Sequence, residues 1–171
     1  MPSRPDRYSK SMVVIHWLTA GLILGAWFTA EGGRSIAENP PFLHFSLGLA
    51  VLVLALPRLL LRLSGAAPSE SQAEGTLARA AKAGHAMLYV FLIALPLSGW
   101  YAASRMGVPI SFFGFSVPAI TVPVQGAPGL IADLHEKAGT IILILAGLHA
   151  LIALWHQFIL RDGTLKRMSL H

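Results

Sequence analysis

The 171-residue chain contains no cysteine. That excludes covalently attached c-type haem, thiolate-held iron–sulfur clusters, Cys-ligated zinc and structural disulfides, and it leaves histidine as the main strong metal ligand. Charge is scarce as well. Only 12% of the residues are Asp, Glu, Lys or Arg, about half the roughly 25% of a soluble domain. Against this shortage, 54% of the residues are hydrophobic and the mean hydropathy is +0.62. A helix that crosses a bilayer needs about 20 apolar residues. Four runs meet that length, at residues 11–30, 42–63, 84–104 and 133–160, and they leave no room for a soluble domain of useful size. The expectation is an all-α, integral membrane four-helix bundle, with residues 1–171 forming one transmembrane domain.

The formal net charge of +5 and the pI near 10.1 would suit a nucleic-acid binder, but the charges are distributed as membrane topology distributes them. Arg4, Arg7, Lys10, Arg58, Arg62, Arg79, Lys82, Arg161, Lys166 and Arg167 fall on one side of the predicted bundle, and only Arg34, Arg105 and Lys137 on the other. Basic residues concentrate on the cytoplasmic side. The expected location is therefore a bacterial inner membrane, crossed several times, with both termini in the cytoplasm and no nucleic-acid partner. The basic N-terminus precedes a long apolar run without a convincing cleavage site, and reads as a retained first span. Most of the ten cations read as anchors, and Trp100 and Tyr101 as interface aromatics. A basic helical lead-in at residues 77–84 precedes the third span. Residues 105–132 form the longest connection, rich in proline, with an apolar stretch around Phe112, Phe113 and Phe115 placed at the interface or over a cofactor.

The histidines carry the chemistry. Six of the seven lie on the predicted helices: His16, His44, His85, His135, His149 and His156; His171 is tail. Ionisable side chains inside a membrane are costly and mark function. The topology sorts them into an outer group, His44 and His135, and an inner group, His16, His85, His149 and His156. On the fourth span, His135 and His149 are fourteen residues apart, which puts them within about 40° of one helix face and about 21 Å apart along the axis. One metal ion cannot be shared over that distance. Two flat cofactors stacked through the bilayer can be, each completed from another helix.

A plate the size of haem needs space beside its ligand. One turn after His16, His44, His135 and His149 stand Ala20, Gly48, Gly139 and Ala153, whereas His85 and His156 are followed by Tyr89 and Leu160. This pattern favours the first four as axial ligands, although small residues also serve ordinary helix packing. His44 pairs with His135. On the inner side, depth alone lets His149 pair with His16 or His85, and it matches His156 to His16 equally well.

The chain resembles the bacterial cytochrome b561 family over nearly its full length. The resemblance is carried by Tyr8-Ser9-Lys10, Ile15-His16-Trp17, Leu43-His44 with Gly48, Arg58-Leu59 to Arg62, Gly84-His85, Leu92 to Pro96 with Gly99, His135-Glu136, Gly147-Leu148-His149-Ala150 and His156. Each piece is weak alone, and the ordered set is specific. It implies a quinone-linked membrane cytochrome with two haem b groups, ligated from the first, second and fourth spans. With the small-residue pattern, it selects His16 with His149 for the inner haem and His44 with His135 for the outer.

The length and the last span look especially like the superoxide oxidase branch of the family. That likeness implies transfer of electrons from superoxide outside to ubiquinone. His85, His156 and Lys82 then become candidates for the quinone site, since histidine can hydrogen-bond a carbonyl and supply a proton near neutral pH. Arg34, Arg105 and Lys137 become candidates for attracting superoxide to the outer haem, with Glu31, Glu38, Asp133 and Glu136 diluting the positive field there. A protein partner is allowed but not required. The competing readings are a haem-bearing membrane anchor for a periplasmic redox enzyme, a quinol-oxidising carrier working in the opposite direction, and a histidine-lined metal transporter.

Overall fold

The computed structural model describes residues 7–30, 36, 38–65, 68, 75–126 and 129–170. Four long helices dominate it: α1 (Lys10–Phe28), α2 (Phe42–Leu63), α3 (Thr76–Arg105) and α4 (Gly129–Trp155). All four are long and apolar enough to cross a membrane, so the chain is a mostly helical membrane protein. The ends differ from the sequence reading by a few residues. The basic lead-in is continuous with the third helix from Thr76, the fourth helix starts at Gly129 rather than 133, and the first ends at Phe28 rather than 30.

α1 shows how polar groups are satisfied within the helix where water is absent. Ser9 caps α1, its hydroxyl accepting from Met12 N–H at 3.4 Å. Within α1, buried Thr19 donates back to the Ile15 carbonyl at 2.7 Å. The large apolar side chains point mostly outward: Leu24, Val53, Leu56, Leu60, Val90, Ile144, Leu151 and Ile152 are all exposed on the bundle surface, where lipid is the natural solvent. α4 is the least covered, with 6% of its most apolar window buried inside the bundle. The closest packing runs α1 on α2, α2 on α3 and α3 on α4. Val51, Ala55 and Leu92 form one small core between α2 and α3.

The connection between α3 and α4 contains a feature that hydropathy does not reveal. Strands β1 (Ile110–Phe112) and β2 (Phe115–Val117) pair antiparallel, with Ile110 opposite Val117 and Phe112 opposite Phe115. The two turn residues, Phe113 (φ 48°) and Gly114 (φ 93°), both adopt positive φ, the arrangement of a two-residue hairpin turn matched to strand twist. Buried Ser46 of α2 fastens this hairpin. Its hydroxyl accepts from Phe113 N–H at 2.9 Å and lies 3.2 Å from the Ser111 carbonyl. Trp100 Nε1 donates to the Pro118 carbonyl at 3.0 Å, and Ser104, 1% exposed, takes the N–H of Ile120. Ala103, Val108 and Ile110 pack beneath with Phe45 and Trp100 around them. The hairpin thus caps the end of the bundle where His44 lies.

At the opposite end, α4 runs into a π-turn at His156–Leu160, and a short 3₁₀ turn follows at Leu165–Met168. Trp17 Nε1 of α1 donates to the Met168 carbonyl at 3.2 Å, and Tyr8 N–H donates to the Arg167 carbonyl. The two ends of the described chain therefore lie on one side of the bundle.

Candidate functional site

His44 near the start of α2 and His135 on α4 face each other with ring centroids 5.9 Å apart. Their orientation is set by the two helices that supply no imidazole at this level. His44 Nδ1 lies 2.7 Å from the Ala26 carbonyl. Ala26 sits in the last turn of α1, where carbonyls lack intrahelical backbone donors; its oxygen also takes the Thr29 hydroxyl at 3.3 Å, and the imidazole adds a second, shorter hydrogen bond. His135 Nδ1 lies 3.0 Å from the Leu95 carbonyl of α3 and 3.1 Å from Ser98 Oγ, which itself donates to Leu95. A carbonyl only accepts. Both histidines therefore carry their proton on Nδ1 and leave the Nε2 lone pair available, the state in which a histidine binds a metal.

The surroundings leave room beside these rings. A Cβ added at Gly48, one turn after His44, would meet nothing within 4 Å, and the same is true of Gly139 after His135. Gly48, Pro96, Gly99 and Trp100 line a small cavity with both histidines. Gly99 is different: a Cβ there would stand 2.7 Å from His135 Cε1, so α3 can approach the imidazole only at a glycine.

The inner level gathers more histidines. His149 of α4 lies 6.4 Å from His16 of α1 and 5.3 Å from His85 of α3, centroid to centroid. With about 2 Å from a metal to each imidazole nitrogen and roughly 1 Å more to each ring centre, two imidazoles sharing an iron stand about 6 Å apart. The His16–His149 and His44–His135 spacings suit that arrangement, and the edge contact between His85 and His149 is shorter. His16 Nδ1 accepts from Arg58 Nη2 at 2.7 Å. The Arg58 guanidinium also lies 5.7 Å from the Tyr89 ring centre, and its Nε is buried with no hydrogen-bond partner among the described residues.

The other sequence candidates are more scattered. His156 binds Asp162 through Nδ1, and Lys82 is exposed on α3. At the hairpin end of the bundle, Arg105 lies over the Tyr101 ring at 5.9 Å, and Lys137 is exposed two residues after His135, beside exposed Glu136 and near exposed Asp133. Arg34 and Glu31 lie outside the described residues, as do Arg4 and His171. Several participants escaped the sequence reading: the carbonyls of Ala26 and Leu95, Ser98, and Asp162. Arg58 was legible as an ionisable residue within an apolar run but read as an anchor. Asp162 had only the Asp162-Gly163 turn signal.

A family profile described as prokaryotic cytochrome b561 matches residues 7–169. The chain is similar to "Cytochrome b561 homolog 2" of Escherichia coli K12, 33% identical, with 96% of this chain and 92% of that protein covered. It is also similar to "Cytochrome b561 homolog 1" of the same organism, 31% identical, covering 95% and 97%. A third relative, "Probable superoxide oxidase CybB" of Yersinia pestis, is 31% identical, with 95% of each chain covered.

Proposed function

The chain belongs to the prokaryotic cytochrome b561 family of haem-binding membrane electron carriers, and from that premise we propose that it is a two-haem cytochrome that oxidises superoxide on the outer side of a bacterial inner membrane and reduces ubiquinone on the cytoplasmic side. The carrying observation is the pair of imidazole couples, His44 with His135 at 5.9 Å and His16 with His149 at 6.4 Å, at two levels that share α4. The name of the Yersinia pestis relative supports superoxide as the donor.

The donor set fits b-type haem. Nitrogen ligands suit iron in the absence of thiolate, the Nδ1–H bonds to Ala26 and Leu95 orient the outer pair, and Gly48 and Gly139 keep the adjoining space clear. His44 with His135 and His16 with His149 would hold the two haems, and each would supply a one-electron carrier there. For His16 to ligate through Nε2, its proton must sit on Nδ1. Arg58 then needs another acceptor, and the carboxylates of a haem have the right charge.

Arg105 and Lys137, together with Arg34 of the loop outside the described residues, are proposed to draw in a small anion, and Ile110 of the hairpin lines the cavity beside His44 and His135. At the inner end, His85, His156 and Lys82 supply donors for the quinone carbonyls. The overall reaction is two superoxide plus one ubiquinone plus two protons giving two dioxygen plus one ubiquinol. The positive bias of the side bearing both described ends supports a cytoplasmic position for that side.

Rapid mixing of the purified protein with superoxide, with and without ubiquinone, tests the reading. The expected result is haem reduction that superoxide dismutase abolishes, followed by reoxidation only when quinone is present. Haem that stays oxidised, or whose reduction is indifferent to dismutase, removes superoxide as donor. Co-purification of a large redox subunit that reduces the haem would favour the anchor reading instead.

A further inference from the structure

We propose that Asp162 and His156 form a carboxylate–imidazole dyad in which Asp162 positions His156 as the proton donor to the bound quinone. The proposal rests on the reading of this end of the bundle as the quinone-reducing end.

The dyad is produced by a specific break in the helix. After Trp155 the α-helix widens into a π-turn over His156–Leu160, a distortion that often accompanies functional positions. Arg161 then takes a left-handed conformation, φ 55° and ψ 31°, unusual for a residue with a side chain. That reversal brings the next residue back along the helix. Asp162 N–H donates to the His156 carbonyl at 3.3 Å, and Asp162 Oδ2 receives His156 Nδ1. The second carboxylate oxygen is held as firmly: Thr164 N–H donates to Oδ1 at 3.0 Å and Thr164 Oγ1 at 2.7 Å. Three hydrogen bonds to the carboxylate and one between backbones, within nine residues, thus fix Asp162 against one edge of the imidazole.

The consequence is chemical. With Nδ1–H committed to Asp162, His156 presents Nε2 on the opposite edge of its ring. Nε2 is then the ring nitrogen left to exchange a proton with a bound quinone. His156 lies seven residues after His149, which places it within about 20° of the same helix face and roughly 10 Å further along. The proposal seats the quinone between the inner histidine level and the end of the bundle, against this edge. His156 is 30% and Asp162 41% exposed, so water can restore the proton after each transfer. Ubiquinone takes two electrons and two protons to become ubiquinol. His156 Nε2 delivers one of these protons to a quinone oxygen and is reprotonated from solvent, the other oxygen takes its proton from solvent, and Asp162 stays ionised throughout.

The test isolates the quinone half-reaction. The purified holoprotein is reduced with limiting dithionite, mixed with a short-chain ubiquinone, and followed by loss of the reduced haem absorbance. Wild type, Asp162→Asn, Asp162→Glu and Thr164→Ala are compared at saturating and sub-saturating quinone. The expected result is at least about tenfold slower maximal reoxidation in Asp162→Asn, with the KM for quinone unchanged, substantial recovery in Asp162→Glu, and a smaller loss in Thr164→Ala. If Asp162→Asn is reoxidised at the wild-type rate, the dyad has no part in proton delivery. A loss that appears in KM, or that Asp162→Glu does not relieve, assigns Asp162 to holding the chain end and overturns the proposal. Failure of wild type itself to be reoxidised by quinone removes the quinone reading instead, and is distinguishable because no variant is involved.

Discussion

Gly99 on α3 faces His135 on α4 so closely that a single methyl group would sit 2.7 Å from the imidazole Cε1. The same helix supplies the Leu95 carbonyl that fixes the His135 tautomer. Close approach and orientation are one relationship, because a bulkier residue at Gly99 would push the ring away from Leu95. Gly99→Ala is expected to cost about 1–3 kcal/mol of local packing and to weaken binding at the outer histidine pair while sparing the inner one. Quantifying haem per chain and the split of the reduced absorbance band in the variant checks this; full retention of wild-type spectra would show that His135 tolerates displacement.

Gly48 offers the complementary test. No protein atom lies within 4 Å of a Cβ placed there, so Gly48→Leu meets little resistance from the polypeptide. Under the proposed ligation, haem content should nevertheless fall by about one group per chain, because a porphyrin on His44 would need that space. A variant with normal haem content would mean that the space beside His44 serves something else.

Much of this arrangement was legible in the chain itself, for physical reasons. Long uncharged runs can hardly be anything but spans, and α2 begins and ends at the residues hydropathy indicates. The fourteen-residue separation of His135 and His149 puts two levels on one helix by spacing alone. What the sequence does not disclose are contacts made by backbone atoms. The Ala26 and Leu95 carbonyls carry no side-chain signature. The hairpin is too short for a two-residue period to show, and its turn puts Phe113, a poor positive-φ residue, before Gly114. The Asp162–His156 contact depends on a π-turn that no periodicity forecasts. Arg58 looks like any anchoring cation until α1 brings His16 within 2.7 Å of it.

Arg58 yields an electrochemical prediction. A cation beside the inner level favours the electron-rich form of a neighbouring redox group. Arg58→Leu should lower the inner midpoint potential by on the order of tens of millivolts, leave the outer one unchanged, and show partial recovery in Arg58→Lys. Potentiometric titration of the absorbance bands measures both. Equal shifts at the two levels would indicate a general disturbance of the bundle.

The Asp162 carboxyl has a predictable acid response. Hydrogen bonds from His156 and Thr164 hold its pKa down at about 2, below the ordinary 3.8. A depressed carboxylate pKa adds stability that is present above the unfolded value and is lost as pH falls through the folded one. Wild type should therefore protect its C-terminal segment from proteolysis better than Asp162→Asn above about pH 4, with the difference shrinking between about pH 4 and 2. Solvent screening keeps the effect modest. A difference that grows on acidification would mean the carboxylate is not the stabilised form.

The most direct measurement of the central claim is the amount of haem b released per polypeptide by pyridine haemochrome assay of freshly purified protein. Histidine couples at two levels, joined by α4, predict two per chain, and one per chain in His135→Ala or in His149→Ala. A value of one or none in the wild-type protein would contradict it.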